Sequence, residues 1–313
     1  MIFLFIGLGV LGFILLSLIV FYVAVSIYAS TRIVKWSMYP NFDTREARKA
    51  KNAKDGNSAN TETWERKEFE VTMPDGYVIH GDMTRNDPKK VVMLMHGHGS
   101  TREGVIKYAR VFYELGYSVV MFDHRGHGDN QRVFSTFGYQ EAKDAFEMFK
   151  FVQETFGKDA EIGVFGVSMG GASAILMTQY TQEMKFLVVD CAYAGADIVI
   201  KQICKDKRQW NFLPLLISNH MLKKHAGYQY KDIMVRKVAE NLIVPILDIH
   251  GTGDTKIQLY HQGMIMKNVK SYHETMQVEG AEHGQSVNVD PVGYRKKVKE
   301  FIDKVHKLDT ERK

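Results

Sequence analysis

The chain has 313 residues, 45% hydrophobic and 25% charged, which are values of a folded globular protein and exclude wholesale disorder. Lys and Arg number 41 against 36 Asp and Glu, and the excess of +5 is spread along the chain rather than gathered in arginine-rich blocks, which argues against a nucleic-acid partner. The two cysteines, Cys191 and Cys204, have no CxxC or Cys/His spacing, so neither a zinc site nor a disulfide framework is implied.

No charged side chain occurs before Arg32, and Ile2 to Ala29 is dominated by Ile, Leu, Val, Phe and Ala. That run exceeds the ~20 apolar residues a bilayer core requires. A buried soluble helix would carry a polar stripe, and a cleaved signal would have a basic leading region and a small-residue cleavage site. Neither pattern is evident, so residues 1–30 are expected to be a transmembrane anchor and the protein a single-pass membrane protein. Arg32, Lys35, Arg45, Arg48 and Lys49 follow closely, and the positive-inside rule then puts the domain that follows in the cytoplasm. Residues 31–66 read as a basic, polar juxtamembrane linker, expected as a solvated spacer, whose cations also gain attraction to anionic lipid.

From residue 67 to 313 the pattern is that of one domain. FEVTM and YVIHGDM flank Pro74-Asp75-Gly76, a turn signature, and read as an antiparallel hairpin. Continuous apolar runs then alternate with helical stretches: VVMLMHG, SVVMFD, EIGVFGVS and FLVVD are strands, with helices between them. This is the βαβ rhythm of a parallel sheet covered on both faces, an α/β fold. Residues 191–242 break the rhythm with helical patterns and the aromatics Trp210, Phe212 and Tyr228, too long for an ordinary connection and expected as a helical lid. The strands resume with VPILDIHG and YHETMQVEG, and an amphipathic helix around Tyr294 to Leu308 closes the chain.

Gly166-Val167-Ser168-Met169-Gly170 matches G-x-S-x-G, the nucleophile elbow, and it stands between a strand and a helix as that motif requires. A side chain at either glycine would collide with a neighbouring element when the backbone turns so sharply. A serine hydroxyl is a weak nucleophile and needs a base, and on this plan the partners follow in the order Ser, Asp or Glu, His. Asp254 in HGTGD and His283 in EGAEHG come in that order, each just past a strand, where open α/β sheets place their sites. His261, expected in a helix, and His273, at or inside a strand, are the competing bases; Asp248, within a strand, is the competing acid. The backbone amide of Met169 and one from His96-Gly97-His98-Gly99-Ser100, best that of His98, are the candidate oxyanion donors.

These pieces, with HGHG at 96–99 and Asp123-His124-Arg125-Gly126-His127-Gly128, resemble the α/β-hydrolase superfamily, particularly bacterial single-span members grouped with serine peptidase-like and monoacylglycerol lipase-like hydrolases. The resemblance covers roughly Glu68 to Leu308. It implies a mostly parallel central sheet flanked by helices, with Ser168, Asp254 and His283 as a catalytic triad and Asp123 to Gly128 as a structural loop beside the site. Gln258 departs from the pattern, standing where relatives often have proline. A rival reading takes His96-x-His98 and Asp123-His124-x-x-His127 as metal ligands, but Gly99 to Arg102 occupy the positions where such a site would want an Asp-His pair.

The expected function is hydrolysis of an ester, thioester or amide through an acyl-enzyme, with no cofactor and no metal. An apolar lid and an anchor favour a carboxylic ester with a hydrophobic acyl group, hence a small-molecule or lipid-like acyl substrate. Trp210, Phe212, Leu213, Leu215 and Leu216 are candidates for its pocket, and equally for packing between lid and core. An acyltransferase or peptidase on the same triad, or a non-catalytic membrane-bound scaffold, are the alternatives. The sequence carries no signal of oligomeric state.

Overall fold

The structure, a computed structural model, describes residues 2–38, 42–58, 61, 63–206 and 212–311. Eight strands form one sheet: β1 (Lys67–Thr72), β2 (Val78–Thr84), β3 (Asp87–Met95), β4 (Tyr117–Phe122), β5 (Glu161–Val167), β6 (Phe186–Asp190), β7 (Ile246–Gly251) and β8 (His273–Val278), in the order β1-β2-β4-β3-β5-β6-β7-β8. The hairpin β1–β2 is antiparallel, as the turn at 74–76 requires, and β2 pairs antiparallel with β4; the pairs from β4 to β8 are all parallel. Parallel strands must be joined by crossovers, and these supply α3 (Ile106–Glu114), α4 (Tyr139–Phe156), α5 (Met169–Met177), α9 (Tyr260–Met266) and, after β8, α10 (Ser286–Val289) and α11 (Pro291–Glu311), with α1 (Ile2–Met38) and α2 (Arg45–Lys54) preceding the sheet.

Covering on both faces explains the unbroken apolar runs. Along β3, Val91, Met93 and Met95 enter a core shared with α4 and α5, while Val92 and Leu94 enter a second core shared with α3 and α11. One strand therefore alternates between two hydrophobic layers instead of between core and water.

Residues 191–242 lie between β6 and β7 as α6 (Ala196–Asp206), α7 (Phe212–Ala226) and α8 (Val235–Ala239). Gln202 of α6 donates to the main-chain carbonyls of Thr255 and Lys256, at 3.4 and 3.1 Å, which brings this helix over the loop after β7.

Helix α1 is ~55 Å long at 1.5 Å per residue. Its Phe5–Arg32 stretch is long and apolar enough to cross a membrane, and its side chains are almost entirely exposed up to Val25. Ser26, Ser30 and Val34, four residues apart and so on one face, are buried, and the Ser30 hydroxyl donates to the Pro214 carbonyl of α7 at 2.8 Å. The stretch expected as a solvated spacer differs from that expectation. Thr44 caps α2 through Ala47 N–H, and Arg45 is drawn into the domain by Asp82, Glu103 and Asp129 at 3.2, 2.9 and 3.3 Å. A run of cations looks like a solvated spacer until the carboxylates that bind it are known, and these lie 37, 58 and 84 residues away.

Candidate active site

Ser168 sits between β5 and α5 with φ 56° and ψ −118°, a conformation rare for a residue with a side chain. Its surroundings require the turn. A Cβ on Gly166 would lie 2.3 Å from the Gly170 carbonyl oxygen, and one on Gly170 would lie 2.2 Å from that of Met95. The strain is held by Ser168 N–H donating to Asp190 O at 2.8 Å and Ala172 N–H donating to Ser168 O at 3.0 Å. Gly97 also lacks a side chain where one would press on this serine, 3.3 Å from Ser168 Cβ.

His283 Nε2 lies 2.9 Å from Ser168 Oγ, and His283 Nδ1 lies 2.6 Å from Asp254 Oδ2. The other carboxylate oxygen of Asp254 accepts from Lys256 and Ile257 N–H, each at 2.9 Å, so both oxygens have fixed roles. Burial alone would raise the Asp254 carboxyl, but the hydrogen bond and charge of His283 and the Ile257 N–H more than offset it and hold it below the usual carboxylate range. An ionised Asp254 fixes the proton on Nδ1 and leaves Nε2 as the acceptor facing the serine. The acid and histidine loops are joined to one another: Thr252 N–H donates to Val278 O and Gly253 N–H to Ala281 O, at 3.0 and 3.1 Å.

The competing residues lie elsewhere. His261 is buried in α9, accepting from Ala194 N–H at 3.1 Å and facing Gln202 Oε1 at 3.2 Å; His273 is exposed at the start of β8. Asp248 is enclosed within β7, where burial pushes its carboxyl well up.

Two histidines of the rival metal reading, His96 and His127, are turned to the main chain. His96 faces Gly97 O through Nδ1 at 2.7 Å and accepts from His124 N–H through Nε2 at 2.9 Å; His127 faces Arg125 O at 2.9 Å and accepts from Gly99 N–H at 3.1 Å. Burial pushes His124 down to about 3, and burial with the neighbouring His124 and His127 pushes His96 well down, so both are neutral. Among the described residues one group of three ligand-type side chains could reach a common ion, and it is Cys191, Asp254 and His283, with ligand atoms within 4.8 Å of one another. Asp254 and His283 are already bonded to each other there, and burial raises the Cys191 thiol well above its ordinary range, so the set suits a metal poorly.

Of the proposed pocket residues, Trp210 and the side chain of Phe212 lie outside the described residues. Leu213, Leu215 and Leu216 are on α7, which packs along α1, and Leu216 is exposed. A narrow apolar pocket is instead lined by Phe137, Ala196, Val199, Ile200, Tyr228, Tyr230 and Ile233, none of the five proposed. Phe137 connects it to the site by stacking on His98 with ring centroids 4.6 Å apart. Only Tyr228 of that lining was singled out in the sequence, within the aromatic cluster of the lid. Sequence reasoning also missed Lys107 and Tyr108, which donate to Gly284 O at 2.6 and 3.1 Å and so hold the residue after His283. Their signal would have been adjacency on the helix after the HGHG loop, which by itself reads as ordinary amphipathicity.

Known proteins agree with this architecture. Residues 86–206 match the family described as serine aminopeptidase, S33. The uncharacterized protein YqkD of Bacillus subtilis is 25% identical over 249 residues, 78% of this chain and 82% of that protein. The thiohydrolase aneE of Aspergillus aculeatus is 29% identical over 129 residues, 40% of this chain and 41% of that one. Among solved structures, an esterase of Pyrococcus furiosus, Pf2001, superposes with TM-score 0.62 at 24% identity, covering 77% of this chain and 93% of its own. A putative lipase of Acinetobacter baumannii gives TM-score 0.61 at 16% identity, covering 86% and 99%. The chain has the α/β-hydrolase fold, and these similarities mark it as an α/β serine hydrolase-like enzyme.

Proposed function

We propose that Ser168, His283 and Asp254 are nucleophile, general base and orienting acid of an acyl-enzyme mechanism, and that the substrate is a carboxylic ester with a hydrophobic acyl group. The observation that carries this reading is the continuous relay from Ser168 Oγ through His283 to Asp254, at 2.9 and 2.6 Å. As Oγ attacks the carbonyl carbon, its proton passes to Nε2, and the imidazolium so formed is stabilised by Asp254. The carbonyl oxygen becomes an oxyanion facing the amides of Met169, in the first turn of α5, and of His98. His283 then gives its proton to the leaving alcohol, and water repeats the sequence to release the acid. The acyl chain is assigned to the apolar side chains of Phe137, Val199, Ile200 and Ile233, which line a narrow pocket and must part to admit it.

Helix α1 is read as a single-pass anchor through Phe5–Arg32, with the catalytic domain on the cytoplasmic side by charge asymmetry. That asymmetry rests mainly on Arg32 and Lys35, because Arg45 and Lys49 are engaged by carboxylates of the domain and Arg48 by Asp43. The activity reading is tested by fluorophosphonate labelling. Wild type is expected to label at one serine and lose esterase activity in step, and Ser168→Ala to do neither while keeping its melting temperature. Equal labelling of the variant would refute it.

A further inference from the structure

The segment that follows the candidate span reaches the catalytic loop itself. Four residues after the end of α1, the Phe42 ring stands edge-on to His127 with centroids 4.2 Å apart, and to His98 at 6.3 Å, while the Arg132 guanidinium covers it at 4.9 Å. Asp43 N–H donates to Gly99 O at 3.0 Å. On its other side, Gly99 N–H donates to His127 Nε2 at 3.1 Å. The two peptide groups that meet at Gly99 are thus held by different elements, one from β4's following loop and one from residue 43.

This matters because Gly99 is the hinge of the turn that carries His98. Ser100 N–H donates to Gly97 O at 3.1 Å, closing a four-residue turn in which Gly99 takes φ +73°, the left-handed value such a turn needs at its third residue. His98 is the second residue of that turn. Gly99 is bonded directly to His98, and a Cβ on the neighbouring Gly97 would lie 3.3 Å from Ser168 Cβ, so the turn passes close to Ser168. Residues 42 and 43 are themselves fixed by α2. Arg48 pairs with the Asp43 carboxylate, Arg45 binds Asp82 and Glu103, and Asn52 donates to Glu103 O at 2.6 Å from a buried position. Asp82 and Glu103 are also bound by Arg66, and Asp82 by Arg102, whose guanidinium pairs with Asp123 beside the same loop.

We propose that Phe42 and Asp43, secured by α2, are positioning residues of the catalytic site, which set the His98 amide through the Asp43–Gly99 hydrogen bond and the Phe42–His127 contact. The inference rests on the reading of the His98 amide as an oxyanion donor. A misplaced donor weakens the transition state more than the ground state, so its loss is read in kcat rather than KM. A segment that merely glued the domain together would alter stability instead.

The test uses the full chain, with p-nitrophenyl butyrate as substrate and a trifluoromethyl ketone as a probe whose bound oxyanion occupies the same hole. Asp43→Pro removes the N–H; Asp43→Ala keeps it and removes only the carboxylate. Asp43→Pro is expected to lower kcat by about tenfold or more with KM changed less than about twofold. Inhibition by the ketone should weaken in proportion, and Asp43→Ala should lose several-fold less. If Asp43→Pro does not fold, Phe42→Ala carries the test with the same signature, a fall in kcat and in ketone affinity at constant melting temperature. The proposal is overturned if the folded variants stay within about twofold of wild type, or if activity falls only as melting temperature falls. Ser168→Ala is run beside them: if it keeps turnover, the reading of the site fails and takes this inference with it, whereas an inactive Ser168→Ala beside silent Asp43→Pro and Phe42→Ala sinks the positioning role alone.

Discussion

The loops at the ends of β5, β7 and β8 and the pair α1–α7 are held in place by different physics. At the strand ends the main chain does the work: Gly166 and Gly170 have no room for a Cβ, Asp254 takes two main-chain N–H groups, and the acid and histidine loops bond to each other. Between α1 and α7 the Ser30 hydroxyl donates to the Pro214 carbonyl, and a stripe of buried small residues lies on an otherwise exposed helix. The first arrangement leaves its residues one conformation. The second fixes where a helix docks, and it places α7 beside α1 without dictating the chemistry.

The largest effects should therefore come from the strand ends. If His283 is the base, His283→Ala is expected to lower kcat by about 10⁶-fold, whereas His261→Ala, whose ring serves Ala194 and Gln202, should lose far less. Ester hydrolysis under saturating substrate checks the pair. A reversal of the two would place the base on α9 and break the distinction drawn between the loops. Next in size is Gly170→Ala, which forces a Cβ against the Met95 carbonyl. Overpacking against a backbone that cannot yield should destabilise by about 3 kcal/mol, seen as a melting temperature lower by roughly 10 °C.

Acid should loosen the same region from beneath. His124, held down to about 3 by burial, and His261, held down to about 4 by burial and the nearby His250, are neutral in the folded protein but take protons near 6.5 when unfolded. A folded pKa below the unfolded one means that their stabilisation is complete above about pH 6.5 and is lost as pH falls toward the folded values. Melting temperature should therefore decline from pH 6.5 to 4, and His124→Leu should flatten part of that decline. The smallest effect is expected from α1. Removing residues 1–30 deletes the Ser30 contact with α7 but none of the strand-end geometry, so hydrolysis of a short soluble ester should stay within a few-fold of wild type. A loss of 100-fold would show that the span governs the site as strongly as the strand ends do.

The same contrast explains what could be read from the sequence. The elbow, the turn at Pro74 to Gly76 and the alternation of strand and helix are local signals, and Asp254 and His283 follow from chain order once Ser168 is placed. Residues whose role depends on distant partners were not legible. The cations of residues 45–49 look solvated until Asp82 and Glu103 are seen to bind Arg45. Phe137 and Cys191, at φ 53° and 47°, have left-handed backbone that nothing in their residue types announces. The lining of the narrow apolar pocket was not legible for the same reason: Leu213, Leu215 and Leu216 form an apolar run on α7, which packs along α1 with Leu215 also against the core, while Val199, Ile200 and Ile233 line the pocket with Phe137.

The central claim is that Ser168 forms the acyl-enzyme, and it is tested most directly by trapping that adduct. Wild type mixed with p-nitrophenyl butyrate, quenched in acid within the first turnover and digested for mass spectrometry, should carry the butyryl group on the peptide containing Ser168. His283→Ala should show none on that time scale. Turnover with no acyl group on Ser168, or with the group on another residue, would contradict the account.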